Sequence, residues 1–152
     1  MTRRPDLERV SRRDFDEVWH GRNPTAIADI YRTDYRGNGF PLVGSVGRRG
    51  YRLVARQFLR AFPDIEFTVH ELDSADRFVY ARWTFTGTHT GRVFGLPASG
   101  ARVEVDGKGL HRYLDGRVDE TWLTMDWWGL FGQLGRGYRE RLKRAVGGLF
   151  SR

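Results

Sequence analysis

Residues 63–90, PDIEFTVHELDSADRFVYARWTFTGTHT, change the rhythm of the chain. Ile65, Phe67 and Val69 alternate with Glu66, Thr68 and His70. Beyond a turn at DSAD, the run RFVYARWTFTGTHT alternates again and is rich in β-branched and aromatic residues. A period of two with that composition predicts half-buried antiparallel strands. On the second strand Ala81, Trp83 and Phe85 share one face, read as inward, and Tyr80, Arg82 and Thr84 the other. Downstream, GRVFGLPASG reads as a long hairpin connection, ARVEVDGKGLHRYL as a third strand, LDGR as a tight turn and VDETWLTMD as a fourth strand. Upstream the period is helical. Ser11 is placed to cap a segment with Phe15, Val18 and Trp19 on one face, and a short helix, TAIADIY, follows Pro24. The chain then turns through TDYRGNGFPLVG. A third helix carries Tyr51, Val54, Phe58 and Phe62 on one face and stops at Pro63. Helices, then an antiparallel meander, then a terminal helix predict an α+β fold with N-terminal helices covering one face of a strongly curved antiparallel sheet.

A chain of 152 residues suits one domain and is long enough to bury roughly 70% of its unfolded surface. The expected division is a domain over residues 1–135 and a basic amphipathic tail helix over 136–152, in which Tyr138, Leu142, Val146 and Leu149 recur at helical spacing. The formal charge of +7 invites a nucleic-acid reading. Against it, the basic residues are scattered, 19 acids accompany them, and no RNP, zinc-finger or helix-turn-helix signature is present. There is no cysteine, and no apolar run approaches the ~20 residues that span a bilayer. A soluble, cytoplasmic protein with no membrane or nucleic-acid partner is expected.

Asp126 sits among Leu123, Met125, Trp127 and Trp128, and two readings stand side by side. It immediately precedes the helical-looking WWGLFGQLG and can cap it. Alternatively, Glu120, Trp122, Thr124 and Asp126 share a strand face. If Trp122 points inward, Asp126 enters an aromatic pocket, where a raised pKa suits acid/base work near neutral pH. His111 lies one strand back across the LDG turn, with Gly109 and Tyr113 on its face, and is either a structural or a reactive histidine. The four histidines lack ligand-like spacing, so no metal site is expected. No GxSxG, dinucleotide or Walker glycine pattern occurs.

The segments AFPDIEFTVHEL, ARWTFTGTHTGRVFGLPASGARVEV and HRYLDGRVDETWLTMDWWGLFGQLG, with FDEVWHGRNPTAIADIYRTDY before them, resemble the SnoaL-like polyketide cyclases of the nuclear-transport-factor-2-like superfamily. The resemblance covers roughly residues 14–135. The combination of GTHTG, FGLPASG, DGR and WxxxDxxGLxxQLG carries it. It implies a cone-shaped α+β barrel with a deep apolar pocket, a homodimer, and cofactor-free intramolecular aldol ring closure of an aromatic polyketide. It further implies that Asp126 is the acid/base and that His111 and Asn38 face the pocket, where they would hydrogen-bond the developing enolate. Trp83, Phe85, Trp122 and Thr124 would then line the pocket, and Trp128, usually a Leu or similar in relatives, would narrow it.

Other chemistry on the same scaffold stays open, namely hydroxylation, epoxide opening or non-catalytic binding of a small molecule, because a fold does not fix a function. Within the strands expected here, the Arg-x-Asp triplet of the superfamily's epoxide hydrolases occurs only as Arg117-Val118-Asp119, at a turn, which counts against that reaction.

Overall fold

A computed structural model describes residues 1–40 and 44–150, with side chains through Gly148. The first helix, α1 (Pro5–Arg13), begins with proline at its start and runs directly into a π-helical segment, Asp14–His20. Ser11 is therefore not a cap. It is buried inside α1, hydrogen-bonded to the Tyr113 hydroxyl. A 3₁₀ turn, Pro24–Ala26, leads into α2 (Ile27–Ile30). The stretch expected to turn is instead mostly strand: β1 spans Tyr31–Phe40 and β2 Gly44–Val46. Helix α3 (Arg48–Ala61) follows the expected stripe, with Tyr51, Ala55, Phe58 and Leu59 buried. The remaining strands are β3 (Glu66–Ala75), β4 (Phe78–Thr88), β5 (Arg102–Leu114) and β6 (Arg117–Met125), and α4 (Trp127–Phe150) ends the chain. Leu149, assigned to the apolar face of the tail, lies outside the described side chains.

The six strands form one curved sheet in the order β2-β1-β6-β5-β4-β3, which does not close. The α+β class and strong curvature are as expected, but the sheet is mixed, because β1 pairs with β6 in parallel while every other neighbour is antiparallel. This pairing explains why TDYRGNGF could not be read as strand: its parallel partner, β6, lies over 80 residues away, and strand preference depends on such neighbours more than on intrinsic propensity. Gly39 is needed at the join. Its φ is +94°, and a Cβ there would stand 1.9 Å from the Leu123 carbonyl oxygen.

One irregularity decides what faces inward. Across the β5–β6 hairpin, Tyr113 opposes Val118 but Arg112 opposes Glu120, so β6 carries one extra residue, a β-bulge. Asp119 and Glu120 consequently lie on the same side and both accept from the Arg112 guanidinium, at 2.6 and 3.1 Å. Beyond the bulge His111 opposes Thr121 and Gly109 opposes Leu123.

The core lies between the sheet and helices α1 to α3. Phe67 packs at a tilt against Phe15 and Trp19, while Phe85 meets Phe58 and Phe62 edge-on. Helix α4 packs along β5, where Gln133 exchanges hydrogen bonds with the Glu104 backbone, and it continues unbroken past residue 135. No described helix is long and apolar enough to cross a membrane.

Candidate functional site

Between helices and sheet lies a cavity of about 80 Å³. Its wall is mostly aromatic, from Trp19, Tyr31, Tyr35, Tyr51, Phe58, Phe67, Trp83, Phe85 and Trp127, with three polar side chains: Asp14, His111 and Thr121. A second, smaller cavity of about 10 Å³ lies behind it and shares Asp14, Phe15, Tyr31 and His111.

Asp14 is positioned by the first turn of the π-helical segment, whose wider winding turns Asp14, Phe15 and Trp19 toward the same space. Its carboxylate accepts from the Tyr51 hydroxyl at 3.2 and 3.3 Å, and Tyr51 in turn accepts from the Trp19 indole N–H at 3.3 Å. Tyr31 is a further hydrogen-bond partner. Burial outweighs these donors and pushes the Asp14 carboxyl up to about 6. The phenols of Tyr31, Tyr35 and Tyr51 are raised by the same burial, so they stay neutral donors. His111 accompanies Asp14 in both cavities. Burial lowers it to about 4, which makes it a neutral imidazole at pH 7, with Nδ1 paired to the Thr121 hydroxyl at 2.9 Å.

The other residues expected at the site divide sharply. Trp83 and Phe85 line the cavity, as their alternation indicated. Trp122, Thr124 and Asp126 do not, because the bulge turns them outward and presents Thr121, Leu123 and Met125 instead. Asp126 is exposed and caps α4. Its Oδ1 accepts from the Gly129 N–H at 2.8 Å and its carbonyl from the Leu130 N–H at 3.0 Å. It also borders a shallow groove on the outward side with Arg82, Asp106 and Lys108. Trp122 is exposed beneath the Arg112 guanidinium, 5.6 Å from the ring centroid. Asn38 does not reach the cavity; it ties β1 to β6, donating to Glu120 at 2.9 Å and to the Thr121 carbonyl at 3.0 Å. Trp128 is 87% exposed and narrows nothing.

Asp14 was overlooked, although a signal for it exists. Leu7, Ser11, Asp14 and Val18 recur at helical spacing, which sets a hydroxyl and a carboxyl on an apolar stripe. Polar groups on such a stripe must find partners or perform chemistry.

The family model for the SnoaL-like polyketide cyclase matches residues 9–134. The chain belongs to the SnoaL-like polyketide cyclase family. Solved structures agree in fold. A candidate SnoaL-like polyketide cyclase from Jannaschia sp. CCS1 is 23% identical, with a TM-score of 0.78 over 88% of this chain and 96% of that one. TsrD from Streptomyces laurentii is 27% identical, with a TM-score of 0.76 over 89% and 98%. AclR from Streptomyces galilaeus, a candidate hydroxylase, is 23% identical, with a TM-score of 0.75 over 86% and 85%. No curated protein matches the sequence. In this SnoaL-like chain, the GTHTG and FGLPASG motifs brace the connection between β4 and β5. The buried His89 accepts from the Ser99 N–H at 3.1 Å and pairs with the Ser99 hydroxyl at 2.9 Å. Among the described residues no three His, Cys, Asp or Glu side chains cluster as a metal site would require.

Proposed function

We propose that this SnoaL-like protein is a cofactor-independent cyclase that closes a ring in a polyketide-like substrate by an intramolecular aldol reaction, with Asp14 as the acid/base. One observation carries the reading: a carboxyl raised to about 6, the one acid lining an aromatic cavity among the described residues. At neutral pH most of this group is ionised and can take the proton from a carbon between two carbonyls. Once Asp14 is protonated, the neutral Tyr31 and Tyr51 hydroxyls that donated to its carboxylate are released to donate to the enolate oxygen. The carbanion adds to a second carbonyl, forming the C–C bond, and the new alkoxide recovers the proton from Asp14. His111, uncharged, holds the substrate without competing for that proton. The aromatic walls fold the chain so that carbon and carbonyl meet.

Size sets a limit on the substrate. A dry cavity of about 150 Å³ admits benzene, so the resting cavity of about 80 Å³ takes only the reacting segment, and a fused ring system requires the aromatic walls to swing aside. The test does not need the natural substrate. An aryl β-ketoester in D₂O should exchange its α-hydrogen faster with protein than with buffer alone, with a rate that rises through pH 6. Exchange at the buffer rate at every pH would overturn the proposal.

The implied homodimer is proposed to form through the outer face of the sheet. Tyr80, Leu110 and Trp122 stand in register across β4, β5 and β6, and the last two are each 39% exposed. Light scattering should give twice the 17.6 kDa chain mass; the single mass at micromolar concentration would exclude it.

A further inference from the structure

Helix α4 leaves the domain. Its inner side, Leu130, Leu134 and Gly137, is buried, and the Tyr138 hydroxyl and Arg141 guanidinium fasten it to the Pro97 and Ala98 carbonyls. From Arg139 to Gly148 every residue is exposed. At 100° and 1.5 Å per residue, Trp128, Gly132, Gly135, Arg139, Leu142 and Val146 fall on one outward line about 27 Å long. Open space beside Gly132 and Gly135 agrees with that direction. Trp128 is 87% exposed, Leu142 65% and Val146 41%, an uncommon accumulation of bare apolar surface on one helix face. Arg139 lies on the line itself, Arg136 and Lys143 stand along one side of it, roughly 60 to 80° around the helix, and the acid nearby, Glu140, stands 3.7 Å from Lys143. Neither the cavity nor the family motif explains this arrangement.

We propose that this face of α4 docks in the headgroup layer of an anionic lipid bilayer. An interfacial helix needs apolar side chains on one line, an aromatic ring whose polar edge suits the headgroups, and cations beside them to meet anionic lipid. All three are present. Charge alone would equally suit an acidic protein, but the spacing argues otherwise. Trp128 and Leu142 are separated by two glycines and an arginine along the line, so a folded partner would need two pockets at a fixed distance of about 21 Å. A headgroup layer accommodates any spacing. The inference is independent of the cyclase proposal.

The test uses the full chain with vesicles of phosphatidylglycerol and, separately, of phosphatidylcholine. Co-sedimentation is expected with the anionic vesicles at low salt, weakening as salt rises, and a blue shift of tryptophan emission is expected in the wild type but not in Trp128→Phe. Each basic residue near such a surface contributes about fivefold in partitioning, so Arg139→Glu with Lys143→Glu should lower binding more than ~20-fold. Trp128→Ser with Leu142→Ser should abolish it. Circular dichroism and denaturant unfolding unchanged from wild type would show that these exposed substitutions leave the fold intact. Absence of sedimentation, equal binding to both vesicles, or a blue shift retained in Trp128→Phe would overturn the inference. So would loss of a dimer mass in the double serine variant, since a second copy would then cover the face.

Discussion

Replacing Asp14 with Asn is expected to lower proton abstraction by 10²- to 10⁴-fold, the usual worth of a positioned acid/base. The substitution is nearly isosteric, and the amide oxygen still accepts from the Tyr51 hydroxyl that now lies 3.2 Å from the carboxylate. What disappears is the titrating proton. Stability should move the other way. A carboxyl raised from 3.8 to about 6 binds its proton more tightly when folded than when unfolded. Its contribution is therefore full below pH 3.8 and is lost as pH rises through about 6, a cost of about 3 kcal/mol at neutral pH. The Asn variant has no such cost and should be at least as stable as wild type at pH 7, with a flatter profile between pH 4 and 6. Denaturant unfolding across that window, run beside the α-exchange assay, separates the outcomes. An inactive but unfolded variant would make Asp14 structural, and a folded variant with wild-type exchange would remove it from the chemistry. Asp126→Asn supplies the contrast. Asn caps a helix about as well as Asp, so a capping carboxylate predicts exchange and stability close to wild type, whereas a catalytic Asp126 predicts a loss as large as that of the Asp14 variant.

Phe85→Ala should cost about 3 to 5 kcal/mol. The ring is 1% exposed and touches Phe58, Phe62, Phe67 and Trp83, so truncation removes contacts on four sides that a close-packed interior cannot restore by relaxing. The void would open into the existing cavity, since Phe85 lines it. The variant is therefore expected to unfold at lower denaturant with an unchanged slope, and to recover part of the loss when toluene is added, as the enlarged apolar space fills. A loss below 1 kcal/mol, or no effect of toluene, would show that the walls collapse and that the cavity is not preformed around this ring.

These two residues mark the boundary between what could and could not be read in advance. Phe85 was legible because β4 alternates without interruption: Ala81, Trp83 and Phe85 needed only a period of two to be assigned inward. The aromatic stripe of α3 and the run of strands after it were legible for the same reason, since local periodicity records which side of an element is buried, whereas β1 and β2, which lie between α2 and α3, were not. The motif from Trp122 to Gly135 likewise carried the family in its residues alone.

The acid of the site was decided elsewhere. A regular β5–β6 hairpin would put Glu120, Trp122, Thr124 and Asp126 on the face of His111, and one extra residue at Asp119 puts Thr121, Leu123 and Met125 there instead. A single-residue shift inverts every side chain beyond it. Both phases of β6 offer apolar residues, so its own pattern does not choose between them. The choice is made by neighbours. Val118 is buried at the hairpin, β1 pairs from the other side, and Arg112 holds Asp119 and Glu120 together outside. The bulge thereby leaves Asp126 in water and Glu120 half-buried against Arg112 and Asn38, and spares the core two unpaired carboxylates whose burial would cost several kcal/mol each. Asp14 takes the interior position because Tyr31 from β1 and Tyr51 from α3 bring it donors. The sequence by itself therefore determined the α+β class, helix α3, strands β3 to β6, the apolar faces of the regular elements and the family. Only the tertiary structure decided which carboxylate is enclosed, because enclosure depends on a register set by strands that are distant along the chain.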